Sequence, residues 1–296
     1  MIVVAGGTGR LGTLLVGRLT ARGQPVRVLT RDPARTGRAG SDLVDVVVGD
    51  VRDRSTLARA VDGATVVVSA MHGFPGTRDQ NPTTIDRDGN INLADAAQAT
   101  GADLVLMSVV GASATHPMEL FRMKHAAEEH ARDVGLPLTV IRATAYLELW
   151  IDILQQTARR SGRPIVFGRG NNPINFVSVH DVAAIVDQVV TDASVRGHTL
   201  HVTGPLNVTM NELATAVQTA AGRTSAPRHL SPAALRLVAG TAGRAHSALG
   251  RQLRAALAMD QLDLTAGPAD LPETYERPTI TPTIRLADAP ATQGAR

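Results

Sequence analysis

The first twelve residues constrain this chain more than any other stretch. Met1-Ile-Val-Val-Ala-Gly-Gly-Thr-Gly-Arg-Leu-Gly12 reads as a short apolar strand (Ile2 to Ala5), a glycine turn, and the start of an amphipathic run from Leu11 to Leu19. Glycines 6, 9 and 12 are spaced in threes, and glycines 7, 9 and 12 also satisfy G-x-G-x-x-G. Each has a mechanical reason to lack a side chain: a tight turn, close approach of backbone to a pyrophosphate, and close packing of helix on strand. The helix that starts there turns free N–H groups and the positive end of its dipole towards bound phosphate. Placed between strand and helix, the pattern predicts a dinucleotide site built from Gly6, Thr8, Gly9, Arg10, Leu11 and Gly12. A purely structural glycine turn is the plainer alternative.

Beyond that turn, strands and helices alternate at βαβ spacing, which predicts an α/β fold. The expected form is a Rossmann-type doubly wound parallel sheet, followed by a smaller C-terminal substrate-binding lobe. Strands are expected at Pro25 to Thr30, Val44 to Val48, Ala64 to Ala70, Leu104 to Ser108, Leu138 to Arg142, Pro164 to Phe167, Ile174 to Val179 and Thr199 to Val202. Helices are expected at Ser55 to Val61, Ile85 to Thr100, Met118 to Val134, Ala145 to Arg159, Asp181 to Val190 and Asn211 to Ala221, with two more between Pro227 and Met259. Met71 to Pro82 reads as a long loop at the carboxyl end of a strand, where open α/β sheets bind ligands. The domain division expected is 1–150 for the dinucleotide-binding part, 151–285 for the lobe and 286–296 for a disordered tail.

At 296 residues the chain can bury a sizeable core. It has no cysteine, which excludes disulfides and thiolate metal sites. An isoelectric point near 10 looks like that of a nucleic-acid binder, yet the net charge is only +3. The high value arises because all but one of the 30 Lys and Arg residues are Arg, whose charge survives to high pH. Without a polybasic run or basic–aromatic interleaving, no nucleic-acid partner is expected. The chain opens on strand residues rather than a basic and apolar leader, and no apolar run reaches spanning length. A cytoplasmic protein with no membrane partner is therefore expected. The nine histidines show no metal-ligating spacing, so no metal is expected. The single lysine, Lys124, stands out because Lys and Arg are not chemically interchangeable.

Strand two ends Leu29-Thr30-Arg31. An NAD site normally places an acid here to bond the ribose 2′-hydroxyl, whereas Arg suits a 2′-phosphate. Arg31, helped by Arg10 and Arg35, therefore predicts NADP(H); the alternative is a solvated turn arginine paired with Asp32. Gly49-Asp50-Val51 follows strand three, where Asp50 can reach the adenine amino group and Val51 can flank the ring. Asp50 capping the next helix is the competing reading. Ser69, Ala70 and Met71 close the following strand beside the cofactor path, the small residues letting backbone pass near the ribose.

Taken in order, these segments resemble a known family. Gly6 to Gly12, Thr30-Arg31-Asp32-Pro33, Gly49-Asp50-Val51, Gly89-Asn90-Ile91-Asn92-Leu93, Lys124-His125-Ala126-Ala127-Glu128 and Phe176 to Ala183 are similar to atypical short-chain dehydrogenase/reductases of the NmrA-like branch. The resemblance covers about residues 1–220. It implies hydride transfer from a nicotinamide, with Lys124 matching the lysine of the Tyr-x-x-x-Lys pair. The tyrosine is missing: Leu120 stands four residues earlier, with Phe121 beside it, and neither donates a proton. Ser108 sits at a strand end where the catalytic serine is sought, but Val109 and Val110 follow it. What remains resembles the isoflavone-reductase-like pattern. There Lys124 would hold the nicotinamide ribose and act as acid or base through ribose hydroxyls or water. The competing reading is an exposed Lys124 paired at i+4 with Glu128.

Arg142-Ala-Thr-Ala-Tyr-Leu-Glu148 resembles the family's Arg-Pro-x-x-Phe-x-Glu segment, with Ala143 in place of proline. The resemblance implies that backbone at Ala143 and Thr144 meets the nicotinamide carboxamide. Tyr146 and Trp150, four apart, are expected on one helix face, either as core or as walls of a substrate pocket with His72, Phe74 and Phe121. Tyr146 is also a candidate proton donor. Together these features predict an NADP(H)-dependent oxidoreductase, monomer or homodimer, acting on a small conjugated or quinone-like substrate. A non-catalytic NADP-binding redox-sensing regulator and a non-redox enzyme on the same scaffold are the alternatives.

Overall fold

A computed structural model of the chain describes residues 1–36, 42–76, 79–269, 271 and 275, with backbone alone at 242–245. Contacts gather these into two units, one of residues 1–143 and 179–202 with Leu271 and Tyr275, the other of residues 144–178 and 203–269. The expected linear division at residue 150 differs from this, because the chain leaves the first unit after 143 and returns to it at 179. The tail expected at 286–296 lies outside the described residues.

The first unit is a seven-stranded, wholly parallel sheet. Its strands are β1 (Ile2–Ala5), β2 (Val26–Thr30), β3 (Val44–Val48), β4 (Val66–Ser69), β5 (Asp103–Val109), β6 (Leu138–Ala143) and β10 (Thr199–Val202). They lie in the order β10-β6-β5-β4-β1-β2-β3. The order reverses between β1 and β4, the switch point at which open α/β sheets leave a crevice beyond the strand ends. Register sharpens this: Ala5 pairs with Leu29 on one side and Ser69 on the other. The residues that follow, Gly6, Thr30 and Ala70, therefore emerge together.

Every residue of β1 and β4 is buried, as continuous Val and Ile runs predict for strands covered on both faces. On one face, Val3, Val67, Leu104 and Leu106 pack against α2 (Arg54–Val61), α3 (Asn90–Thr100) and α4 (Glu119–Asp133) through Leu57, Leu93, Ala97 and Ala127. Leu57, Leu93 and Leu104 are almost wholly shielded, each contributing about 1.5–3 kcal/mol of burial. On the other, α1 (Arg10–Ala21) packs against α6 (Val179–Thr191). Arg18 and Arg22 of α1 reach the buried Asp187 carboxylate of α6 at 3.3 and 3.0 Å.

The single helix expected from Ile85 to Thr100 is instead a π-helical segment, Pro82–Gly89, running into α3. Proline at its first position and a reciprocal cap fix the start: Thr84 N–H donates to Asn81 Oδ1 (3.0 Å), and Asn81 N–H to Thr84 Oγ1 (3.1 Å).

The second unit holds β7 (Ala145–Tyr146), β9 (Pro173–Val177) and β11 (Asn207–Thr209) in one sheet, and β8 (Ile165–Phe167) with β12 (Arg228–Leu230) in another. Its helices are α5 (Leu147–Ala158), α7 (Met210–Ala220), α8 (Pro232–Ala245) and α9 (Ser247–Met259). Leu147, Leu154, Val166, Phe176, Leu213 and Val217 form its core. Helix α5 starts two residues later than expected, because Ala145 and Tyr146 pair with Phe176 and Val177 as strand.

Candidate active site

The glycine turn fits tightly against its neighbours. Gly6 adopts φ +86°, the left-handed region, and a Cβ there would stand 2.7 Å from the carbonyl oxygen of Ala70. A Cβ on Gly12 would meet the Gly6 carbonyl oxygen at 2.2 Å and the Gly7 Cα at 2.6 Å. Gly9 occupies the N-cap of α1, so the helix starts without a side-chain cap. Its first N–H groups are left for an anion. Such a cradle, cleared of side chains at the switch point, fits a dinucleotide pyrophosphate. Leu11 is buried under the turn, while Arg10 is exposed.

The end of β2 is tied to this turn, with Thr8 and Thr30 hydroxyls 3.5 Å apart. Asp32 Oδ1 accepts from Ala34 N–H at 3.1 Å. Arg31 and Arg35 are exposed. Asp50 carries a forked pair from Arg52, Nε at 2.9 Å and Nη2 at 2.7 Å. These bonds hold the Asp50 carboxyl below the usual carboxylate range despite its partial burial, and the Arg31 charge adds to the effect. The helix-capping role belongs to Asp53, which accepts from Ser55 N–H at 2.9 Å. Val51 is buried against Gly89, where a Cβ would lie 2.7 Å from its Cγ2.

Beyond β4, Ala70 N–H donates to Ala5 O at 2.9 Å and closes the strand end onto β1. Ser69 is fully buried and donates its hydroxyl to Asn90 Oδ1. Met71 presents its carbonyl to Lys124 Nζ at 3.1 Å. The same Nζ lies 3.0 Å from Asp86 Oδ1, in an ion pair whose side chains are 5% and 0% exposed. Gly73 N–H donates to Asp86 Oδ2 at 2.9 Å, and His72 Nδ1 lies 3.8 Å from Oδ1. Burial pushes the Asp86 carboxyl up, but Lys124, His72 and the Gly73 N–H together outweigh it and hold the group below its ordinary value. His72 stacks on Phe74, centroids 5.9 Å apart at 21°.

The i+4 alternative for Lys124 is not what the side chains do. Glu128 is buried and takes Arg142 Nε and Nη2 at 3.1 and 2.6 Å, Arg132 Nη2 at 3.0 Å and the Ser108 hydroxyl. Ser108, a candidate catalytic hydroxyl, thus has its proton directed into this cluster. Leu120 is buried. Phe121 stacks on His116 with centroids 4.0 Å apart at 8°, and is not in the His72–Phe74 stack.

The Ala143 carbonyl accepts from Val110 N–H at 3.1 Å. Thr144 donates to Asn175 Oδ1 at 2.9 Å, and that oxygen also accepts from Gly204 N–H at 2.7 Å. Tyr146 is the N-cap of α5 rather than part of its helix face. Burial, with Glu148 nearby, pushes its phenol well above the ordinary value. Trp150 packs on the core of the second unit and lines a cavity of about 20 Å³ with Phe167, Ile174, Met210 and Met259. That volume suits about one water.

Asp86 escaped the sequence argument. Its position four residues before Asn90, on the face of the motif Gly89 to Leu93, was the available signal. Among the described residues no group of three His, Asp or Glu side chains is arranged to hold a metal ion, and no helix is long and apolar enough to cross a membrane.

A parallel sheet with a side-chain-free cradle at its switch point defines a Rossmann-type nucleotide-binding protein. The chain belongs to the NmrA-like family, whose model matches residues 1–248. It is 31% identical over 225 residues to (4-alkanoyl-5-oxo-2,5-dihydrofuran-3-yl)methyl phosphate reductase of Streptomyces griseus subsp. griseus, covering 75% of this chain and 74% of that one. It is 26% identical over 224 residues to NAD(P)H azoreductase of Xenophilus azovorans, with the same coverage of 75% and 74%. The fold is shared with triphenylmethane reductase of Citrobacter sp. complexed with NADP(H), at TM-score 0.78 and 19% identity over 97% of this chain and 99% of that one. It is also shared with the NADPH-dependent quinone oxidoreductase of Escherichia coli complexed with NADPH, at TM-score 0.74 and 20% identity over 90% and 91%.

Proposed function

We propose that the protein is an NADP(H)-dependent oxidoreductase that reduces a small conjugated acceptor of the quinone or azo kind. The observation that carries this reading is the cradle of Gly6, Gly9 and Gly12, pressed against Ala70 at the switch point with Lys124 anchored one residue further along at Met71. Reductase relatives of the same family support it.

Bound reduced nicotinamide would supply hydride; the chain's own residues do the rest. Backbone at Gly6 to Gly12 and the start of α1 hold the pyrophosphate. Arg31, with Arg10 and Arg35, gives the 2′-phosphate its counter-charge. Asp50 and Val51 flank the adenine, and Ser69 to Met71 offer backbone to the ribose. One donor of Lys124 goes to the Met71 carbonyl while its charge pairs with Asp86, which leaves a donor for a ribose hydroxyl. Ala143 borders the carboxamide, and the stacked rings of His72 and Phe74 supply a pocket wall. Burial raises the phenol of Tyr146, so it keeps its proton at neutral pH.

Titration with NADPH and NADH, followed by reduction assays with a quinone, an azo dye and an enone, tests the proposal. NADPH binding with turnover of one acceptor is expected; no binding of either nucleotide would overturn it. Leu120, apolar and buried where the tyrosine would stand, favours a second reading, a redox-sensing regulator. NADPH binding with no acceptor reduced would select that one.

A further inference from the structure

We propose that His72 is the proton donor of this reductase and that Asp86 is its positioning residue, an inference that rests on the reductase reading above. With Leu120 in the tyrosine position, the reaction lacks its usual acid, and the replacement has to stand near the cradle with one edge open. His72 meets both conditions. It follows Ala70 and Met71, whose carbonyls touch Gly6 and Lys124, and its side chain is 46% exposed.

Its orientation is set from three sides. Nδ1 lies 3.8 Å from the fully buried Asp86 carboxylate, which leaves Nε2 as the ring nitrogen not facing it. The ring lies against Phe74. The loop between them is pinned by Gly73 N–H on the same carboxylate at 2.9 Å, and a Cβ on Gly73 would strike the Asn81 carbonyl oxygen at 2.5 Å. A buried carboxylate beside Nδ1 of a half-exposed ring is where a carboxylate can orient an imidazole for proton transfer. Among the described residues, the charged groups recorded around this ring are Asp86 and, behind it, Lys124. The Lys124 side chain is almost wholly shielded whereas that of His72 is open, so the outward proton is that of His72.

The step balances. A conjugated acceptor that takes hydride from the reduced nicotinamide is left with an oxyanion or amide anion. The Nε2–H bond of the His72 imidazolium breaks, a new O–H or N–H bond forms on the product, and the neutral imidazole regains its proton from water.

The test is His72→Gln in the full-length protein, an exposed replacement that spares the core. Single-turnover reduction of a quinone by bound NADPH should fall about a hundredfold or more, with NADPH affinity unchanged. In nucleotide-free protein, imidazole ¹⁵N shifts should report Nδ1–H facing a carboxylate, and Asp86→Asn should abolish that signature. An active enzyme whose single-turnover rate survives His72→Gln would overturn the inference and leave the reductase reading intact. A wild-type protein that binds NADPH and reduces nothing would overturn both.

Discussion

Lys124 Nζ and Asp86 Oδ1 lie 3.0 Å apart, in a pair whose side chains are almost wholly removed from water. A buried pair is costly to break from one side, since the remaining charge keeps its desolvation penalty. Lys124→Met should therefore lower stability by about 3–5 kcal/mol in urea unfolding. Adding Asp86→Asn should restore part of that loss, because the orphaned charge is gone. Nucleotide affinity should stay low in both variants.

The same carboxylate gives an acid dependence of known sign. The folded-state value of Asp86 is held below its ordinary one. Its contribution is therefore complete above the ordinary carboxylate range and is lost as pH falls through the folded value. Urea midpoints of the wild type should drop across that acid range, and Asp86→Asn should drop less steeply.

Gly12→Ala should abolish tight NADPH binding. The added methyl would meet backbone at 2.2 and 2.6 Å, and backbone has no rotamer by which to yield. A loss of tenfold or more in affinity, about 1.4 kcal/mol, is expected by calorimetry. An unchanged dissociation constant would remove the pyrophosphate from this turn.

Arg31→Ala should weaken NADPH about tenfold and leave NADH nearly unaffected, since only the 2′-phosphate distinguishes them. Equal losses for the two nucleotides would move Arg31 away from that phosphate.

Ser108→Ala should destabilise without disabling. Its hydroxyl serves the Glu128 carboxylate, which Arg142 and Arg132 also hold. Losing one bond to a charged group costs about 1.5–3 kcal/mol, visible in denaturant unfolding, while turnover stays within a few-fold. A collapse of turnover in a stably folded variant would return Ser108 to the chemistry.

The parallel sheet was legible because strands buried on both faces are written as Val and Ile runs, which survive any tertiary context. The glycine cradle was legible for a related reason: only glycine satisfies Gly6 and Gly12. Lys124 could be found from its rarity, but its partner could not. Spacing along α4 points to Glu128, whereas Asp86 reaches Lys124 from a different element, and Glu128 is claimed by arginines on α4 and β6. The helical placement of Tyr146 failed for a local reason, since strand pairing with Val177 overrode the helical spacing to Trp150. The return of residues 179–202 to the first sheet is a long-range pairing of β10 with β6, which composition along the chain does not register.

The winding of Pro82–Gly89 has a consequence of its own. A π-helix closes its turns from i to i+5 rather than i to i+4, so this segment carries more chain per turn than the α-helix that follows. Deleting one residue between Asp86 and Asn90 would let ordinary winding resume. Asp86 would then swing roughly 100° about the helix axis, away from Lys124 and His72 alike. The chemistry here is thus written partly in arithmetic: two chains with the same side chains, differing only in how many residues separate them, would not share the site.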